Sequence, residues 1–160
     1  MALDCLVNTI RHCGIDMKLF LDCEFTNFEG RLISMALVAE NGDEFYEVVA
    51  YDMWECHPWV IDNVIPILNK DMIPYSDFQR SLALFLRKYD EVEVIADWPE
   101  DFWHFSRALL TGPGMMMEAP KIKMKMERRL DYKSDLPHNA LEDAKAIKAA
   151  YQKKYIVYVR

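Results

Sequence analysis

The sequence predicts an α/β domain, on two observations. The chain opens with three strand-like stretches joined by tight turns, and amphipathic helices then alternate with further apolar strands. At 160 residues it is one domain by size, with enough chain to enclose a core.

Lys18–Phe25 is apolar and reads as a buried strand, and Arg31–Ala39 as a second. Asn41-Gly42 is expected to supply the positive φ angles of a tight hairpin, so that Glu44–Ala50 returns as a third. Pro58–Leu68 starts as a helix that Pro66 tightens or ends. Ser76 and Gln79 have capping-box spacing, opening a helix with Phe78, Leu82, Phe85 and Tyr89 on one face. Glu91–Ala96 alternates as a fourth strand, and a helix carrying Phe102, Phe105 and Leu109 follows. Residues 112–119 read as a loop, and Lys121–Met126 as a short fifth strand. A last helix covers roughly Ala140–Lys153, with Ala140, Ala144, Ile147 and Tyr151 in one stripe. Residues 1–16 fit this pattern poorly. They read as an N-terminal extension, a short helix or disordered, ahead of a single domain at 17–160.

No apolar run approaches the ~20 residues of a membrane helix, and the N-terminus lacks a secretory pattern, so a cytoplasmic protein is expected. Cys5, Cys13, Cys23 and Cys56 form no CxxC pair and read as reduced thiols. The net charge of −7 argues against binding a polyanion. Two features soften that objection: clustered carboxylates are neutralised when metal binds, and the basic residues are unevenly spread.

The residues that carry chemistry begin at Asp22-Cys23-Glu24. Alternation along a strand puts both acids on one face about 7 Å apart. Such a pair on an apolar strand is costly unless a cation lies between, and hard divalent ions suit oxygen ligands. Asp97 and Glu100 have cap spacing, so Asp97 is read as capping a helix from Trp98, with Asp101 four residues beyond. Asn139 and Glu142 repeat the arrangement, with Asp143 four past the cap and His138 just outside the helix. Five residues along a helix turn about 140°, so His138 converges with Asp143 only from the preceding loop.

Taken singly, each feature has a plain structural explanation: acids favour helix N-termini, and His138 could be a surface residue. Their order, Asp-x-Glu on the first strand, Asp after a later strand, then His-x4-Asp on a late helix, resembles the DEDDh branch of the DEDD 3′→5′ exonuclease superfamily. The resemblance covers residues 17–153, and His138-Asn-Ala-Leu-Glu-Asp143-Ala144 is its most specific motif. With the stretch from His57 to Pro66, the chain looks closest to small 3′→5′ exoribonucleases of bacteria and phages. One motif departs. Many relatives have Asn four residues before the middle Asp and an aromatic just before it, where this chain has Asp97 and Glu100. Asp97 is therefore the alternative for the middle ligand.

The resemblance implies an RNase H-like fold with a mixed five-stranded sheet flanked by helices. It implies two divalent ions, Mg²⁺ or Mn²⁺, held by Asp22, Glu24, Asp101 and Asp143. Glu24 would also orient the attacking water, and His138 would be the general base, a role suited to an imidazole near neutral pH. The substrate would be nucleic acid, RNA rather than DNA, and several relatives work as homodimers. Lys121, Lys123 and Lys125 share a strand face and could track phosphates, or be a solvated face. Phe25 could stack on terminal bases, or be core. Trp98 and Trp103 are assigned to packing, and His12, His57 and His104 to structural or surface roles. A DNA exonuclease, a non-catalytic binding module on this fold and a metal-binding protein acting on a small phosphodiester remain as alternatives.

Overall fold

Strand β1 (Met17–Phe25) lies inside the sheet because both its faces are apolar. The computed structural model describes residues 17–156, so the expectations for residues 1–16 lie outside the described residues. β2 (Leu32–Ala39) runs antiparallel to β1 and pairs in turn with β3 (Glu44–Val49). On its other side β1 pairs in parallel with β5 (Glu91–Ala96), and β5 with β8 (Lys121–Met126). A two-residue strand β4 (Met72–Ile73) adds to β3, giving the order β4-β3-β2-β1-β5-β8. The sheet is mixed, as expected, but has six strands. β4 is too short to announce itself by periodicity.

Alternation along β1 sends Leu19, Leu21 and Cys23 to one layer, where Phe78 and Leu82 of α2 (Tyr75–Leu86) and Phe105 of α3 (Pro99–Leu109) cover them. Phe20 points the other way, to Ile147 and Tyr151 of α4 (Ala140–Ile156). By the same alternation Asp22 and Glu24 fall on the α4 side. Ala140 and Ala144 meet Ala36 and Val38 of β2, and these small side chains let α4 lie close over the sheet. Lys148 fastens it further, donating to the Ala39 carbonyl at 2.8 Å.

Several local readings need correcting. In the first hairpin only Gly42 has positive φ (+99°), while the Asn41 side chain accepts from the Asp43 N–H. The turn spans Ala39 to Asp43 and so needs one left-handed residue. α2 starts at Tyr75 behind Pro74 and has no side-chain cap, because Ser76 is already inside the helix. Gln79 instead donates to the Ala108 and Leu110 carbonyls, tying α2 to the end of α3. The segment read as a loop holds part of a small hairpin, β6 (Leu110–Gly112) and β7 (Met115–Met116), turning at Pro113-Gly114. The Pro58 helix is short, α1 (Pro58–Asn63), followed by a 3₁₀ turn at Ile65–Ile67 that contains Pro66. No helix among the described residues is long and apolar enough to cross a membrane.

Because Ala144 sits fully buried against β2, Ala144→Leu should overpack this contact, costing roughly 1–3 kcal/mol in urea denaturation.

Candidate metal centre

The end of β1, the start of α3 and the start of α4 converge on one spot. Asp22 and Glu24 come from β1, and Asp101 is the third residue of α3. Asp143 is in the first turn of α4, with His138 on the loop before it. Their candidate ligand atoms form two groups, each with all members within 4.8 Å of one another: Asp22, Asp97 and Asp101, and Glu24, His138 and Asp143. All five residues expected at the site are thus brought together, and Asp97 joins them.

Local structure explains the placements. Asn139 caps α4 as expected, its Oδ1 accepting the Glu142 N–H at 3.2 Å, and its amide donates to the Ile67 carbonyl at 2.8 Å. His138 has a left-handed backbone (φ +70°), which turns its N–H onto Asp143 Oδ2 at 2.9 Å. Its ring stands edge-on to Trp59, with centroids 4.8 Å apart. Asp97 does not cap α3. Trp98 is the capping residue and makes no side-chain cap bond, so Asp101 lies three residues past the cap. The extended backbone of Trp98 leaves Asp97 at the end of β5, where its carboxylate meets Asp22 and Asp101.

The electrostatics are those of crowded acids. Asp22 Oδ2, Asp101 Oδ2 and Asp143 Oδ1 are buried without a hydrogen-bond partner. Burial, then Asp101, Glu24, Asp143 and Asp97 push the Asp22 carboxyl far above its usual range. Burial and Asp97 do the same to Asp101, with a backbone hydrogen bond from Cys23 opposing them. Glu24 is raised to about 8 by burial and Asp143. Asp143 is raised by burial, which the Ser134 hydroxyl and the His138 N–H partly offset. Buried, mutually repelling carboxylates with unused lone pairs fit hard divalent cations, which bind oxygen and cancel the charge.

Other features surround this centre. A groove of about 380 Å³ beside Glu24 is lined by Phe25, Phe28, His57 and Trp59. Phe25 borders it while also stacking on His104 at 5.3 Å and packing on the core. His104 is buried, and burial lowers it to about 4, keeping the ring neutral. Trp98 and Trp103 are half-exposed rather than packed away; Arg128 lies over the Trp98 ring. Lys123 pairs with Glu91, and Lys125 with Glu127 and the Tyr151 hydroxyl, while Lys121 is exposed. Sequence reasoning missed Tyr132 and Ser134, on the irregular segment before α4. Burial, then the charges of Asp97, Asp22 and Asp143, strongly disfavour ionisation of the Tyr132 hydroxyl. Neither residue has a periodic or motif signal.

No protein-family model matches the chain, and no curated protein matches it significantly.

The raised carboxyls make a prediction for the metal-free protein. Each binds a proton more tightly folded than unfolded, so its contribution is full below the unfolded pKa near 4 and is lost as pH rises through the folded value, about 8 for Glu24. Melting temperature in chelator should therefore fall between about pH 5 and pH 8, and excess Mg²⁺ should flatten the slope. A melting temperature that rises with pH in chelator would contradict this account.

Proposed function

We propose that this protein is a metal-dependent 3′→5′ exoribonuclease of the DEDDh type. The observation that carries the reading is the convergence of four motif carboxylates and His138 from three distant segments, with three buried carboxylate oxygens left unpartnered. The order of these residues along the chain supports the same class. The preference for RNA over DNA rests on the likeness to small exoribonucleases.

Asp22, Glu24, Asp101 and Asp143 would hold two divalent ions, Mg²⁺ or Mn²⁺. Such a pair supplies an activated water and stabilises the attacking and leaving oxygens of an in-line displacement. The protein's own groups do the rest. Glu24 orients the water. His138 takes its proton, its ring set against Trp59 and its backbone anchored to Asp143. Being exposed, the ring can pass that proton to solvent. The aromatic groove beside Glu24 is suited to holding the terminal base, since stacking tolerates any base.

The decisive test is a time course on 5′-labelled RNA and DNA of one sequence, with Mg²⁺, Mn²⁺ or chelator. A metal-dependent ladder shortening from the 3′ end of RNA is expected. A ladder on DNA alone would move the substrate to DNA, and no cleavage of either would remove the nuclease reading. His138→Ala should lower turnover by roughly 10²–10⁴, the usual loss with a general base, while metal binding persists in calorimetry. A fully active variant would exclude His138 as that base.

A further inference from the structure

We propose that Asp97 is a fifth carboxylate of the metal centre, sharing one ion with Asp22 and Asp101. The inference rests on the metal-centre reading above and adds a ligand to the four motif acids.

Three observations lead to it. First, a carboxylate oxygen of Asp97 lies within 4.8 Å of ligand oxygens on both Asp22 and Asp101, a set of three able to grip one ion. Secondly, those neighbours are more than nine-tenths buried, and each has an oxygen with no hydrogen-bond partner. Oxygens of this kind, shut away from water, call for a cation. Thirdly, the plain structural role for Asp97 is absent. Its spacing to Glu100 suits a cap, yet α3 begins one residue later without any side-chain cap bond.

The charge arithmetic separates a ligand from a structural residue. Without metal, the Asp97 carboxylate lies against those of Asp22 and Asp101, and like charges at this range repel. Replacing it by the isosteric amide should relieve that repulsion, so metal-free Asp97→Asn should melt at a higher temperature than the unaltered protein. With metal the order should reverse, because the variant gains less from binding. An Asp97 that served only to hold the fold would give a lower melting temperature in both conditions.

The experiment is calorimetric titration of the purified chain with Mn²⁺ alone, with bound Mn²⁺ counted by electron paramagnetic resonance. The unaltered protein, Asp97→Asn and Asp22→Asn are compared, with circular dichroism to confirm folding. The unaltered protein should bind two ions. Asp97→Asn should lose roughly 10–100-fold in affinity at one of them. An Asp97→Asn isotherm equal to that of the unaltered protein, alongside loss of binding in Asp22→Asn, would overturn the fifth ligand and leave the four-acid centre standing. No Mn²⁺ binding by the unaltered protein would remove the centre and this inference together.

Discussion

Mutual repulsion among buried carboxylates is the constraint around which this molecule is organised. Asp22, Asp101 and Asp143 are almost wholly enclosed, each with an oxygen that no protein donor satisfies, and Glu24 and Asp97 crowd against them. Burial and like charge both act against ionisation. The fold therefore carries local strain that only protons or cations relieve. Its tolerance depends on the apolar layers on either side of β1, which fix the strand while its polar end remains unsatisfied.

The rest of the architecture delivers side chains to that end. β1 pairs antiparallel on one side and parallel on the other, so strands of both directions meet beside Asp22. α4 is set by its small-residue contact with β2 and by Asn139, which caps the helix while binding the Ile67 carbonyl. One residue thus fixes the start of the helix and ties it to the 3₁₀ turn at Ile65–Ile67, and Asp143 follows. His138 accepts a left-handed backbone as part of the same arrangement, gaining the hydrogen bond to Asp143.

Charge is distributed to match. The lysines of β8 pair with neighbouring acids: Lys123 with Glu91, and Lys125 with Glu127. Around Glu24 the lining is aromatic instead, from Phe25, Phe28 and Trp59. Under the proposed function, an acidic protein of this kind would rely on metal-bound charge and ring faces more than on a basic surface.

The sequence by itself determined the α/β class, the central strands and the chain order of the site acids. Alternation and helical spacing are local properties, readable without contacts. It singled out Asp22, Glu24, Asp101, His138 and Asp143 through the resemblance of their chain order to one family rather than through local spacing, since the cap at Asp97 from which Asp101 was placed is not one α3 uses. It also located the Asn139 cap, where side-chain and backbone chemistry agree. Tertiary structure decided what depends on distant partners. β4 is a strand only because β3 lies beside it. Ser76 was misread because the entry of the chain at Pro74, and not the local spacing, set the start of α2. Asp97 was read as a cap for the same reason: its spacing suited one, but the path of the chain out of β5 turned it to the acids. Tyr132 and Ser134 had no local signal, since an irregular segment acquires its function from what it is folded against.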